Sequence, residues 1–193
     1  MRIDIMTDIE TLGTNADSTI IQISAIAFDI RTGEHLSVFN EIADVSKNKE
    51  IKVTGDTIKW WLKTNKELFS ELINGGENSS EGVLAHFNGW LKAQTPDSKN
   101  LYLWGNGILF DNKMIQHQLE SNGFEYPIYY KNDRDVRTIV DLASAKLGCS
   151  ESILKDRFKD YSLVEHNALD DVKYQISLVV GCYNELIKED TPF

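Results

Sequence analysis

The sequence lacks a long apolar segment. None of its hydrophobic runs reaches the roughly 18 residues that a membrane helix needs, and its start, MRIDIMTDIE, carries acids where a secretion signal needs apolar side chains. We therefore predict a soluble, cytoplasmic protein without membrane contact.

Cysteine is scarce as well, and Cys149 and Cys182 have no CxxC or histidine-paired spacing that would indicate a zinc site. We expect both to remain reduced and to act as small hydrophobic residues.

Positive charge is also in deficit. The chain has 20 Lys and Arg residues against 30 Asp and Glu residues, which gives a net charge of −10. Proteins that coat nucleic acid neutralise phosphates with Lys and Arg, so this balance argues against such a role. An enzyme that engages only a few nucleotides is still compatible with it, and part of the acid excess can belong to a site that binds cations.

The N-terminal part of the chain predicts strands followed by helices. Residues 2–7, about 19–30 and about 36–42 are rich in Ile, Val and Phe and are joined by turn residues, which predicts an antiparallel meander. Helical patterns follow, one beginning after Thr57 as an N-cap and one opening at Ser80.

From residue 101 onward, the pattern changes to alternating strands and helices. We predict strands at 101–104 and 127–130 and helices at 110–121, 135–147 and about 168–188. Such alternation is typical of parallel strands joined by helical crossovers. The predicted fold class is α/β: a mixed five-stranded sheet, three antiparallel strands followed by two parallel ones, with helices on both faces.

Two acids, Asp8 and Glu10, lie at the end of the first predicted strand. Residues two apart in a strand point to the same face, so the two carboxylates are expected to lie close together. Like charges at this separation require a proton or a cation between them, and Mg²⁺ or Mn²⁺ suits oxygen ligands. Taken alone, the pair is more often a solvated strand end or a helix N-cap.

A third acid, Asp111, follows the segment WGNGILF, in which a strand ends and two glycines allow a sharp turn. Functional groups of α/β proteins gather where parallel strands end, which makes this acid a site candidate. The alternative is an acid in the first turn of a helix, where it stabilises the helix dipole.

A histidine and two acids mark the start of the last helix. His166 precedes this helix and Asp171 follows five residues later, a little over one turn, so both can face one cleft. Asp170 is rotated by about 100° from its neighbour and is predicted to point elsewhere. A histidine in this setting is otherwise a surface or structural residue.

In chain order, the segments DIET, FD and HNALDD resemble the three sequence motifs of the DEDDh 3′→5′ exonucleases, the DnaQ-like branch of the ribonuclease H-like superfamily. The histidine, where the sister branch carries a tyrosine, assigns the DEDDh branch. The resemblance spans residue 2 to about 180. It implies a ribonuclease H-like fold and a single DEDDh exonuclease domain over residues 1–193.

The resemblance also implies the chemistry: two-metal-ion hydrolysis that releases nucleoside 5′-monophosphates from the 3′ ends of single-stranded DNA or RNA. His166 would be the general base, and Thr11 and Leu12 would line the pocket for the 3′ end. A homodimer is compatible with this group, although no heptad or exposed stripe marks an interface. The ligands of two Mg²⁺ or Mn²⁺ ions would be Asp8, Glu10, Asp111 and Asp171.

Two further segments, TIKWW and RDVRT, resemble a subgroup that includes the T-even phage exonuclease A and some bacterial exoribonucleases. Trp60 and Trp61 could stack on nucleobases, or at least one of them could belong to the core. Arg134 and Arg137 could hold phosphate or pair with local acids. For the tryptophans the core alternative is favoured, because adjacent side chains face different directions, whereas the choice for the arginines stays open.

Three functional hypotheses follow. The first is a free-standing 3′→5′ exonuclease, and the retention of four acids and the histidine favours it. The second is a catalytically silent nucleic-acid-binding module of the same fold. The third is a proofreading subunit of a polymerase, for which the short tail KEDTPF is a weak docking candidate. The preference for DNA or RNA depends on contacts to the 2′-hydroxyl, which no short motif reveals.

Overall fold

The computed structural model describes residues 2–188, and most of the KEDTPF tail, residues 189–193, lies outside them. A five-stranded mixed sheet with the order β3-β2-β1-β4-β5 forms its centre. β1, β2 and β3 are antiparallel, whereas β4 is parallel to both β1 and β5. The predicted fold class is therefore confirmed. The strands are β1 Ile3–Thr11, β2 Ile20–Phe28, β3 His35–Ile42, β4 Leu101–Gly105 and β5 Asp133–Asp135.

Helices cover both faces of this sheet. Alternate residues of β1 point to opposite faces, so Ile5 packs against α3 and α4 whereas Met6 packs against α5 and α7. A smaller apolar cluster under α1 and α2 includes Leu12 and Trp61. The helices are α1 Gly55–Thr64, α2 Lys66–Asn74, α3 Ser80–Gln94, α4 Asp111–Ser121, α5 Val136–Leu147, α6 Glu151–Arg157 and α7 Ala168–Ile187. Between residues 2 and 188, no helix is both long and apolar enough to cross a bilayer.

The fifth strand is not where the sequence predicts it. Residues 127–130 form no strand; β5 lies at Asp133–Asp135 and pairs with Leu103–Gly105 of β4. Its three residues are all charged and carry no apolar signature, so only the pairing defines them as a strand. Asn132 directs this pairing, because its side-chain amide donates to the main-chain oxygens of Lys99 and Leu101.

Helix boundaries also differ from the prediction. The helical pattern beginning after Thr57 is divided into α1 and α2 at Asn65, whose side chain accepts a hydrogen bond from Leu68 N–H and so caps α2. Thr54, and not Thr57, precedes the first helical residue. Ser79 caps α3, while the Ser80 hydroxyl donates to the oxygen of Ile20. The short helix α6 has no counterpart in the prediction.

The length of β1 creates the cleft in which the candidate residues lie. The pairing of β1 with β4 ends at Met6 and Trp104, but β1 continues to Thr11 along β2. Its last acids therefore extend beyond the end of β4, beside the connection into α4. A side chain at Gly105 would collide with Asn112 of α4, so glycine lets α4 begin close to the strand end.

Candidate active site

Three carboxylates from two elements converge beside the end of β1. One oxygen each of Asp8, Glu10 and Asp171 lies within 4.8 Å of the others. Asp8 and Glu10 project from the same face of β1, and Asp171 projects from the first turns of α7, which Asn167 caps. Glu10 is buried, and the other two are partly accessible.

The electrostatics of this cluster are unfavourable without a counter-ion. Burial raises the pKa of Asp8 well above its usual value, and the neighbouring charges of Asp111 and Asp171 raise it further. The pKa of Glu10 is also raised well above its usual value, mainly by burial and then by the charge of Asp8. A site that collects buried carboxylates in this way suits a hard cation with oxygen ligands, such as Mg²⁺ or Mn²⁺. The donor set therefore fits the implied metal.

Asp111 lies at the first residue of α4 and is 95% buried, with a relative exposure of 5%. It is outside the three-carboxylate group but close enough to raise the pKa of Asp8. Burial raises its own pKa to about 7, although hydrogen bonds from main-chain N–H groups and the charge of Arg137 act in the opposite direction. Asp111 can therefore act as a ligand beside the three-acid group.

One cavity of about 460 Å³ brings the predicted acids and histidine together. Its lining also includes Phe110, Leu163 and Tyr174, whose side chains add apolar surface. The five predicted residues in its lining, which lie far apart in the sequence, are Asp8, Glu10, Asp111, His166 and Asp171.

His166 is held in an unusual conformation in front of α7. Its φ of +66° is left-handed, and it is the one non-glycine residue between positions 2 and 188 with a positive φ. Its main-chain N–H donates to Asp171 Oδ2 at 3.1 Å. Its ring meets the ring of Trp60 edge-on, with centroids 5.0 Å apart. One main-chain contact and one ring contact thus hold His166 beside the acids.

Asp170 faces away from the three-carboxylate group. Its Oδ2 accepts a hydrogen bond from Val164 N–H at 3.1 Å, and its Oδ1 pairs with Lys173 Nζ at 2.8 Å. These contacts lower the pKa of Asp170, whereas the pKa of the neighbouring Asp171 is raised by burial. The two adjacent acids therefore have opposite environments.

Thr11 and Leu12 have different positions. Thr11 lines a second cavity of about 620 Å³, which shares Glu10 and Phe110 with the first. Leu12 is buried in the cluster under α1 and α2 and lines neither cavity. Its main-chain N–H donates to the oxygen of Thr19, and its main-chain oxygen accepts a hydrogen bond from Thr54 N–H. The structure therefore brings Thr11, but not Leu12, to the site.

The adjacent tryptophans differ in exposure, although their rings meet edge-on with centroids 5.1 Å apart. Trp61 is buried, stacks on Phe69 with ring centroids 5.4 Å apart, and donates from Nε1 to the oxygen of Thr11 at 3.0 Å. Trp60 is 43% exposed and lines the second cavity together with Trp61 and Phe110. Trp61 thus belongs to the core, and Trp60 connects the second cavity to His166.

The two arginines of RDVRT, Arg134 and Arg137, also differ from each other in their contacts. Arg134 stacks on Tyr102, 4.8 Å from the ring centroid, and donates to main-chain oxygens of Lys131 and Asp133. The Arg137 guanidinium lies over Gly107, where a Cβ would be 3.0 Å from Nη2, and it forms no hydrogen bond or ion pair with any other described residue. Arg134 is structural, and Arg137 is exposed near Asp111.

Gln175 is a residue of the site that the sequence analysis missed. It lines the first cavity, is 97% buried with a relative exposure of 3%, and donates from Nε2 to Asp8 Oδ1 at 3.1 Å. The signal in the sequence is its position four residues after Asp171, which places both on one face of α7. The spacing alone does not show that Gln175 lies beside Asp8, because that contact depends on how α7 packs against β1.

A family model described as the 3′-5′ exoribonuclease Rv2179c-like domain matches residues 3–182 of the chain. The exodeoxyribonuclease of Enterobacteria phage T4 is 27% identical over 165 residues, which cover 72% of this chain and 70% of that relative. The resemblance to exonucleases of this subgroup is therefore confirmed.

Two solved structures are similar in fold. Cell-death related nuclease 4 has a TM-score of 0.69 and 13% identity over 95% of this chain, which spans 64% of that protein. The nuclease domain of 3′hExo, a DEDDh family member in complex with rAMP, has a TM-score of 0.64 and 16% identity, covering 94% of this chain and 92% of that domain. These similarities confirm the ribonuclease H-like fold.

The family model covers nearly all the residues that form the sheet, its helices and the shared cavity. The fold, the order of the acids along the chain and the sequence match agree with one another. The chain therefore belongs to the family of 3′-5′ exoribonuclease Rv2179c-like domains and is a 3′-5′ exonuclease, with a fold similar to that of a DEDDh family member.

Proposed function

We propose that this protein is a metal-dependent exonuclease that removes nucleoside 5′-monophosphates from the 3′ ends of single-stranded DNA or RNA. The observation that carries the proposal is the single cavity whose lining includes the four predicted acids and the predicted histidine. We further propose that residues 1–193 act as one domain in the cytoplasm. The names of the relatives, an exoribonuclease domain and an exodeoxyribonuclease, support both substrate classes.

The acids divide into two groups that suit two Mg²⁺ or Mn²⁺ ions. Asp8, Glu10 and Asp171 would hold one ion, because their oxygens already converge within 4.8 Å. Asp8 and Asp111 would hold the second. When bound, such ions acidify the attacking water and stabilise charge on the leaving oxygen.

His166 would act as the general base. Its imidazole lines the same cavity, and a neutral imidazole nitrogen is a suitable acceptor for the proton of the attacking water. The water oxygen forms a bond to phosphorus as the bond between phosphorus and the 3′-oxygen breaks. The shortened strand leaves with a 3′-hydroxyl. Trp60 supports the imidazole ring, and the His166 N–H orients Asp171.

The second cavity would receive the terminal nucleoside. Trp60 and Phe110 offer aromatic surface for a base, and four residues of the lining carry hydroxyl groups: Thr11, Thr14, Thr54 and Thr57. Base stacking on aromatic side chains contributes about 1–3 kcal/mol per base without sequence preference. Since the chain is acidic overall, we propose that stacking and bound ions supply more of the affinity than a basic surface does.

A gel assay tests the proposal. The wild type and Asp8→Ala are incubated with 5′-labelled single-stranded DNA and RNA of one sequence, in Mg²⁺, Mn²⁺ or EDTA. We expect a ladder that shortens from the 3′ end only with metal and only with the wild type. Intact substrates with either metal would overturn the proposal in favour of a silent binding module.

A matched pair of variants tests the geometry. Asp171→Asn removes a charge from the three-carboxylate group, whereas Asp170→Asn makes the same change one residue away, outside the cavity. We expect the first to lose at least about 100-fold in rate and the second to remain within about threefold of the wild type. Equal losses would show that the position of the charge does not matter.

A further inference from the structure

Gln175 is a buried polar side chain that the chemistry above does not use. It lies on α7, four residues after Asp171, and therefore on the same face of the helix. Its relative exposure is 3%, and it lines the cavity that contains the four acids. A buried glutamine in a cavity of this kind needs partners for both ends of its amide.

One end of the amide has a partner. Gln175 Nε2 donates to Asp8 Oδ1 at 3.1 Å, across the contact between α7 and β1. Reversing the amide would place Oε1 against the carboxylate, where both atoms are acceptors, so the contact with Asp8 determines the orientation. The hydrogen bond fixes one oxygen of Asp8, the acid between the two proposed ion positions.

The other end has no partner in the protein. Gln175 Oε1 is buried and accepts no hydrogen bond from any residue between 2 and 188. Leaving a buried acceptor unsatisfied costs about 1–3 kcal/mol, and the side-chain oxygens of Asn88 and Asn112 are also without partners among the described residues, so the role of Gln175 depends on the contact of its Nε2 with Asp8.

We propose that Gln175 is a positioning residue for Asp8: its side-chain N–H holds one oxygen of the Asp8 carboxylate in place from the buried face of α7. This inference rests on the proposed function, because Asp8 is a metal ligand there. Residues that orient metal ligands in this way typically contribute 10- to 100-fold to metal affinity.

The test is Mn²⁺ binding to the full chain, measured by calorimetry without substrate. Gln175→Met keeps the length of the side chain and removes both polar atoms. We expect it to bind Mn²⁺ about 10- to 100-fold more weakly than the wild type. Gln175→Asn, which stays polar but is one methylene too short to reach Asp8, should show a similar loss and serves as the test if the Met variant does not fold.

Asn88→Leu is the matched control. Asn88 is also a buried amide and also has an unpartnered side-chain oxygen, but it lies on α3, which packs on the opposite face of the sheet from α7, and it lines neither cavity. We expect this variant to bind Mn²⁺ as the wild type does. Thermal unfolding in EDTA reports the stability of each variant separately from metal binding.

The outcomes separate the inference from the function on which it rests. If the wild type binds Mn²⁺ and degrades substrate, but Gln175→Met binds within twofold of it, the positioning role is wrong and the exonuclease proposal stands. An equal loss in Asn88→Leu would also refute the positioning role, because the effect would then be general. If the wild type neither binds Mn²⁺ nor degrades substrate, the proposed function itself fails.

Discussion

The substitution Asp111→Asn should stabilise the metal-free protein. Asp111 is 95% buried, and burial raises its pKa from 3.8 to about 7. A rise of this size corresponds to about 4 kcal/mol of unfavourable free energy when the carboxyl is ionised in the folded state. A neutral amide of nearly the same shape removes this cost.

The sign of the effect fixes its pH dependence. Because the pKa is higher in the folded state, the cost is absent below about pH 4, grows from there to about pH 7 and is complete above it. The carboxylate accepts hydrogen bonds from the main-chain N–H groups of Asp111 and Ile9, and asparagine can keep only part of this bonding, at a loss of about 1–2 kcal/mol. The net gain at pH 8 is therefore about 2–3 kcal/mol, falling close to zero at pH 5.

Thermal unfolding in EDTA at pH 8 and pH 5 measures this effect. For a domain of this size, the expected gain corresponds to an increase in Tm of about 5–10 °C at pH 8. Asp170→Asn is the control of opposite sign, because the ion pair with Lys173 lowers the pKa of Asp170, and its loss should reduce Tm at pH 8. The reasoning is refuted if Asp111→Asn leaves Tm unchanged or lower at pH 8, or if the gain is the same at pH 5.

Three further predictions concern the ions and the edges of the cavity. Saturating Mg²⁺ or Mn²⁺, at about 100 times its dissociation constant, should stabilise the wild type by about 2.7 kcal/mol, seen as an increase in Tm of about 5–10 °C that Asp8→Asn abolishes. Trp60→Ala should lower kcat by about 3- to 10-fold by releasing the His166 ring, whereas Trp60→Phe should retain most of the rate in the same assay. Arg137→Ala should raise KM by about 3- to 10-fold through loss of a phosphate contact, whereas Arg134→Ala should lower Tm with little change in KM.

Each of these has a result that contradicts it. An ion-induced increase in Tm that persists in Asp8→Asn would place the ions elsewhere. Equal kcat values for the Ala and Phe variants of Trp60 would mean that the aromatic contact does not position His166. If Arg134→Ala raised KM as much as Arg137→Ala, the distinction between a stacked and an exposed arginine would be wrong.

The fold was predictable where sequence pattern and tertiary structure agree. The alternating apolar residues of β1 and the long apolar face of α7 specify their elements without help from the rest of the chain. β5 was not predictable, because Asp133, Arg134 and Asp135 form a strand only through pairing with β4. The break between α1 and α2 at Asn65 was not predictable for a related reason. An apolar pattern continues across Asn65, and its role as a cap is visible only in the hydrogen bond that its side chain accepts from Leu68 N–H.

The site shows the same division. Its acids and histidine were identified because their spacing and order along the chain are characteristic, whatever the details of packing. Trp60 and His166 are 106 positions apart, and Gln175 and Asp8 are 167 apart, so these contacts exist only after α1 and α7 have packed beside β1. Interactions that orient a reactive group leave little trace in the local sequence.

The left-handed backbone of His166 has an evolutionary consequence. At a φ of +66°, glycine has less strain than histidine, so selection for stability alone favours replacing the imidazole. Under the proposed function, selection for catalysis opposes that replacement. A descendant that had given up hydrolysis would be expected to change this residue early, before the buried acids, and residue 166 in any such relative would record whether the enzyme is still in use.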